Sequence, residues 1–135
     1  MLHDVMQLRQ AVFVVEQDCA YLDLDGADLN AWHIWGVQGG EVVACARILA
    51  PGEKYPEASI GRVCTALNVR GTGVGRALME RAMAAAAIQF PGGDLRISAQ
   101  SYLLPFYESL GFVRTGHAYL EDGIPHEEMH RAFRA

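Results

Sequence analysis

The chain lacks an apolar run long enough to cross a membrane or to form the core of a secretory signal. The longest early one, Ala11 to Val15, falls far short of either. Cysteine is scarce. Cys19, Cys45 and Cys64 are an odd set at wide spacing with no Cys-x-x-Cys, which reads as free thiols in a reducing compartment. Both features indicate a cytoplasmic protein. Positive charge is also short: the formal net charge is −5, which argues against broad nucleic-acid binding and against an acidic membrane surface. The same balance would welcome a cationic amine. Internal repeats, linkers and low-complexity stretches are absent, since the alanine run 84–87 sits inside a helical pattern. At 135 residues, 51% apolar and 20% charged, the chain is read as one domain over 1–135 with a real core.

What is present is organised around Arg70-Gly71-Thr72-Gly73-Val74-Gly75-Arg76. Three glycines at alternate positions end a strand-like run and open a long alanine-rich helix. Glycine lets the backbone pass through positive φ and lets another molecule approach the main chain. A helix start adds unpaired N–H groups and the positive end of the macrodipole. Together these predict a phosphate or pyrophosphate site. It is not a P-loop, because the required lysine is missing. Nor is it the dinucleotide fingerprint, because counting from Gly71 puts Arg76 where the last glycine belongs.

Apolar spacing predicts a helix from Met1 to about Gln17, weakened near its end by Phe13-Val14-Val15. Residues 18–30 read as a loop. Asp23-x-Asp25-Gly26-x-Asp28 within it hints at calcium, but the glycine comes too early and Ile34 stands where an EF-hand needs glutamate, so a solvated acidic loop is expected. Strands are expected at 31–38 and 41–50 around the Gly39-Gly40 hairpin, and at 59–67. Arg47 is the one charge in its strand's apolar run. It wants a carboxylate in a buried salt bridge or a ligand anion. A helix at 73–89, a strand at 95–99, a short helix at 102–109 and strands at 112–119 and 124–133 complete the pattern. The order α, β, β, β, α, β, α, β, β predicts a mixed α/β layer fold.

Arg70, Gly73 and Gly75 resemble motif A of the GNAT acetyltransferases, Arg/Gln-x-x-Gly-x-Gly/Ala. Phe106-Tyr107-Glu108-Ser109-Leu110-Gly111-Phe112 matches that family's Tyr-x-x-x-Gly-Phe segment at the expected place. Three further stretches resemble the ElaA-type branch: Ala11 to Gln17, Ile60-Gly61-Arg62-Val63 and Glu121-Asp122-Gly123-Ile124-Pro125-His126. The resemblance covers nearly the whole chain. It implies a central mixed, mostly antiparallel sheet flanked by helices. One departure is that GNAT domains usually begin with a strand, whereas this chain starts at the helix. The 31–38 strand would then be a bare edge. Either the start is truncated or misassigned, or a second chain covers the edge as in a homodimer.

The activity implied is direct transfer of an acetyl group from acetyl-CoA to a primary amine, on a small molecule or a peptide. By the same resemblance, the backbone of Val63, Cys64 and Thr65 pairs with the pantetheine arm, and an N–H near Val63 polarises the thioester. The loop from Arg70 through Gly71, Thr72, Gly73, Val74 and Gly75 to Arg76 takes the pyrophosphate, and Gln100 makes a polar cofactor contact. Tyr107 is the expected general acid, since a phenol near pKa 10 suits a thiol near 8–9. The base is unresolved. Glu16 is the best remaining carboxylate, although it could equally cap or salt-bridge the first helix. His33 and Arg47 are substrate-side candidates. Cys64 is read as packing beside the cofactor, because direct transfer needs no covalent intermediate.

A rival motif, His126-Glu127-Glu128-Met129-His130, matches the zincin His-Glu-x-x-His, which requires a helix. Pro125 directly before it is tolerable at a helix start. Only five residues follow, so a third ligand would have to come from upstream. Read as a strand, 126 and 130 share a face as ordinary polar positions, and no metal is assigned. A CoA-binding sensor domain without catalysis is the other alternative.

Overall fold

The computed structural model describes residues 1–19 and 21–133. The first helix, α1, is Leu2–Arg9, and it runs straight into a π-helical segment, Gln10–Glu16. The β-branched run that weakened the helical pattern lies in this wider turn. Its backbone bonds span five residues, Gln17 N–H to Val12 O at 3.2 Å and Cys19 N–H to Val14 O at 3.1 Å. Val12 and Phe13 are buried while Val15 faces solvent.

Strands β1 (Trp32–Gln38), β2 (Glu41–Leu49) and β3 (Ser59–Thr65) form an antiparallel sheet in that order. Helix α2 (Val74–Gln89) follows the glycine loop. Then come β4 (Leu95–Gln100), the short helix α3 (Leu104–Ser109), β5 (Val113–Glu121) and β6 (Ile124–Arg131). The last three strands form a second antiparallel sheet, ordered β4-β6-β5. This is the predicted succession of elements.

The two sheets meet at one place. Ala58 bridges Leu95 in parallel, and Arg96 N–H donates to Ala58 O at 3.0 Å. Beyond that bridge β3 and β4 part, and among the described residues no strand pairs with the edge of β3 from Ile60 to Thr65. A bulge between Cys45 and Arg47 and a positive φ of 49° at Arg62 bend β3 where it departs.

Side-chain alternation on β2 divides the core in two. Ala44, Ala46 and Ile48 pack toward α2 with Leu78, Met79 and Ala82. Cys45 packs toward the first helix with Val5, Val12, Phe13 and Cys64. The small alanines of α2 let the helix lie close to the sheet, and Met79 is wholly enclosed there. Truncating Met79 to alanine would cost roughly 2–5 kcal/mol. β5 and β6 are joined by Asp122-Gly123, both at positive φ (52° and 78°), a two-residue turn that sets Glu121 opposite Ile124 and Tyr119 opposite His126.

The acidic loop is not merely solvated. Asp25 and Asp28 form a reciprocal cap on the 3-10 turn Gly26–Leu29, and the loop is tied to three arginines. Arg9 and Asp23, each 1% exposed at the side chain, meet at 3.1 Å, and Arg9 meets Asp28 at 2.8 Å. Arg47 meets Asp25 at 2.6 Å and Arg62 meets Asp23 at 2.9 Å. These carboxylates neutralise arginines on α1, β2 and β3 and so hold the loop over the sheet.

Candidate active site

A cleft of about 520 Å³ opens where β3 leaves β4. Its floor is the unpaired edge of β3, lined by Gly61 to Thr65. An extended strand whose N–H and C=O groups face a cleft can be completed by an extended ligand, as an added strand would complete it.

At one end stands the start of α2. Gly73, at φ 88°, precedes the first helical residue, and Gly71 lies at φ 79°. A Cβ added at either would meet nothing within 4 Å, so the main chain is open to an approaching group. The first amides of a helix have no acceptor of their own. This cradle fits a phosphate. Arg76 reaches Glu80 at 3.2 Å and Ser109 Oγ at 2.9 Å, tying α2 to α3.

Arg70 braces the loop. Its guanidinium donates to both oxygens of Glu16, at 2.6 and 2.8 Å, and to Thr65 O at 2.9 Å. The bond to Glu16 raises the pKa of Arg70 further. The π-helical segment aims Glu16 and Gln17 this way, and Gln17 donates to Gln100 at 3.2 Å. Glu16 therefore has both oxygens occupied by an arginine. That pairing competes with the general-base role expected of it, and its partner lies in the glycine loop, not in the first helix.

Tyr107 is 7% exposed and wedged between Phe106 and Phe112, with ring centroids 5.1 and 6.1 Å away. Burial raises its pKa and keeps the phenol protonated. Val63, Cys64, Thr65, Arg70, Gly71, Gly73, Gly75, Arg76, Gln100, Tyr107, Glu16 and Arg47 all line this one cleft. Cys64 Sγ lies 3.4 Å from Cys45 Sγ; that contact and burial push the Cys64 thiol up, away from a nucleophilic thiolate.

Three expected residues stand elsewhere. Val74 turns into the α2 core, and the Thr72 hydroxyl donates to Val69 O. His33 is outside the cleft, its Nε2 3.3 Å from Asp28 O, because its strand lies beyond β2 from the opening. Arg47 is both things at once. Burial opposes its charge, Asp25 and Asp28 raise its pKa, and it still borders the cleft.

The His-Glu-x-x-His segment lies on β6, not on a helix. Four residues of strand separate the two histidines by about 13 Å. His130 pairs with Asp94 at 3.0 Å and Glu127 with Arg114 at 2.8 Å. The helical turn by which a zincin brings its two histidines together does not exist here. His126 borders the cleft instead, with Glu121, Asp122, Lys54 and Arg62. Sequence reasoning missed that role for His126, although its place in the Glu121–His126 hairpin was the available signal.

Comparison with known proteins agrees with this geometry. Residues 13–133 match the family model described as an acetyltransferase (GNAT) domain. Protein ElaA of Escherichia coli is 42% identical over 132 residues, 96% of this chain and 86% of that protein. Its crystal structure superposes with a TM-score of 0.89, covering 96% of this chain and 88% of that one. An acyl-CoA N-acyltransferase from Pseudomonas aeruginosa is 41% identical with a TM-score of 0.90, covering 97% and 90%. A CoA-dependent acyl-homoserine lactone synthase, BjaI, solved with isopentyl-CoA, shares the fold alone, at 18% identity and a TM-score of 0.76 over 98% and 77%.

Proposed function

Since the chain belongs to the GNAT acetyltransferase family, we propose that it moves an acetyl group from acetyl-CoA to a primary amine by direct transfer. The observation that carries this reading is the splay of β3 from β4 under the glycine start of α2, with Tyr107 bordering the same cleft. When bound, acyl-CoA supplies the thioester. The free edge of β3 at Val63, Cys64 and Thr65 pairs with the pantetheine amides. The amides of Gly73, Gly75 and Arg76 hold the pyrophosphate, and Gln100 adds a polar contact. An N–H near Val63 polarises the carbonyl. Tyr107 gives its proton to the departing sulfur as the carbon–sulfur bond breaks.

Acetyl, rather than a longer acyl group, is the part that leans on family description. BjaI's isopentyl-CoA supports testing longer chains beside it. No helix among the described residues is long and apolar enough to cross a membrane. Free Cys19, Cys45 and Cys64 support a reducing, cytoplasmic setting.

The test is thermal unfolding with acetyl-CoA, isovaleryl-CoA and CoA. A ligand at ~100 times its Kd adds about 2.7 kcal/mol, several degrees for a domain of this size. No rise with any of the three would defeat the reading. A rise without turnover on any amine would favour the sensor alternative.

A further inference from the structure

The cleft has a second end, and it is chemically unlike the glycine end. Beside it lies a vestibule of about 320 Å³ lined by Asp25, Glu53, Glu121 and Asp122 together with Arg47, Lys54 and Arg62. Asp25 is taken by Arg47 and Arg62. Glu53, Glu121 and Asp122 meet no arginine among the described residues, and against these three carboxylates the lining sets only Lys54 outside the Asp25 pairs, so an excess of negative charge faces an incoming cation.

Glu121 borders both spaces, and beside it on the cleft side stands His126. Its ring is 8% exposed at the side chain. Nδ1 lies 2.7 Å from Ile124 O. A carbonyl only accepts, so Nδ1 carries the proton and Nε2 is left with its lone pair in the neutral ring. Nε2 is 3.3 Å from Glu121 Oε2. A lone pair and a carboxylate at that distance repel unless a proton lies between them. An N–H donor from outside, seated beside the two atoms, satisfies both. A primary ammonium, with three N–H groups, meets both acceptors at once.

The ring is held in place on every side. Tyr119 stacks on it from β5 with centroids 6.0 Å apart, and Tyr119 is itself bonded to Ser98 of β4. Gln100 is its register partner on β4. Lys54, Arg62 and Asp122 are the other charged groups bordering the cleft there. Two residues of type I′ turn fix Glu121 relative to His126, so the pair is preorganised rather than assembled on binding.

We propose that Glu121 docks the ammonium of a cationic primary amine and that His126 Nε2 is the general base. This rests on the acyl-transfer reading above. His126 takes one proton from the ammonium, which frees the nitrogen lone pair. The carbon–nitrogen bond forms and the carbon–sulfur bond breaks. Of the two protons the nitrogen sheds, one passes from His126 to solvent. The other leaves the nitrogen as the tetrahedral adduct collapses and returns through solvent to the Tyr107 oxygen, which has given its own proton to sulfur.

The experiment measures acetyl transfer from acetyl-CoA to spermidine, phenethylamine and a glycyl peptide across pH, with the acetyl-CoA melting shift as a separate readout. In His126→Gln, kcat should fall about 100-fold or more, the acid limb of kcat/KM should move up toward the ionisation of the amine itself, added imidazole should restore part of the rate, and the acetyl-CoA shift should persist. Glu121→Gln, at a half-exposed position, should raise the amine KM about tenfold with kcat little changed and keeps the test decisive if His126→Gln does not fold. A wild-type acid limb and kcat in His126→Gln would overturn the base. An unchanged KM in Glu121→Gln would overturn the docking role. Wild-type protein that binds acetyl-CoA but acetylates none of the three amines would overturn the acceptor class. Absence of any acetyl-CoA shift in wild type would instead bring down the acyl-transfer reading, and this proposal with it.

Discussion

Glu16 and Arg70 face each other across the cleft with both carboxylate oxygens engaged, at 2.6 and 2.8 Å, while the same guanidinium holds Thr65 O. The pair joins the π-helical segment to the glycine loop, and we expect it to shape the cleft, not to move protons in it. Each side chain is about a third exposed, at 35%. Exposed ion pairs contribute about 0–1 kcal/mol. Glu16→Gln should therefore lower stability by no more than about 1 kcal/mol and leave kcat within a few-fold. Steady-state rates beside a melting curve would check this. A loss of two orders of magnitude in kcat at unchanged acetyl-CoA binding would return Glu16 to the base role.

Much of this arrangement was legible in the residues, and the limits have physical causes. Alternation on β2, the Gly39-Gly40 and Asp122-Gly123 turns, and the three glycines before α2 are local signals, and local signals set elements. The parting of β3 from β4 is not local. It depends on a single bridge at Ala58 and on the bend at Arg62, which no window of sequence displays. The acidic loop was misjudged for the same reason: Arg9, Arg47 and Arg62 are distant in sequence and only the fold brings them onto Asp23, Asp25 and Asp28. His126 looked like half of a metal motif because spacing alone cannot distinguish a helix face from a strand face. His33 was a substrate candidate on a strand already expected at a sheet edge, but which side of the sheet the cleft opens on, beyond β3, was not visible in the residues.

Gly73 offers a clean separation of strain from ligand contact. Its φ of 88° is left-handed, and a Cβ there meets nothing within 4 Å. Gly73→Ala should thus cost about 1–2 kcal/mol through backbone strain alone. Gly116, at φ 89° with equally open space, lies in β5 outside the cleft. Gly116→Ala should lose similar stability and keep its acetyl-CoA melting shift, whereas Gly73→Asp should lose that shift through steric and charge conflict. Equal shifts in the wild type and Gly73→Asp would remove the loop from phosphate binding.

Asp28 makes stability depend on acid. Burial alone would raise its pKa from 3.8, but hydrogen bonds and charge from Arg9 and Arg47 win and hold it at about 2. A carboxylate with a folded value below its unfolded one binds fewer protons when folded, so it stabilises the fold above about pH 4 and that contribution drains away as pH falls toward 2. Asp25, held low first by its bond to Arg47, acts in the same direction. Urea midpoints of wild type and Asp28→Asn should differ clearly at pH 5–7 and converge as pH approaches 2. Curves that stay parallel throughout would mean the arginine contacts are not maintained in solution.

Tyr107 poses the last question, because its burial cuts two ways. Burial raises the phenol's pKa, which makes it a weaker acid yet keeps it protonated around neutral pH. Protonation is what a donor to a departing thiolate requires, and the low-polarity wedge between Phe106 and Phe112 strengthens a hydrogen bond made there. Tyr107→Phe removes one oxygen without opening a cavity, so the melting temperature should move little. The acetyl-CoA shift should persist, and kcat should fall by roughly 100-fold. Thioesters with a more acidic leaving thiol need that proton less, so an activated aryl thioester of CoA-like length should recover part of the loss. Equal rates in Tyr107→Phe and wild type would show that the thiolate leaves unassisted or is protonated by water.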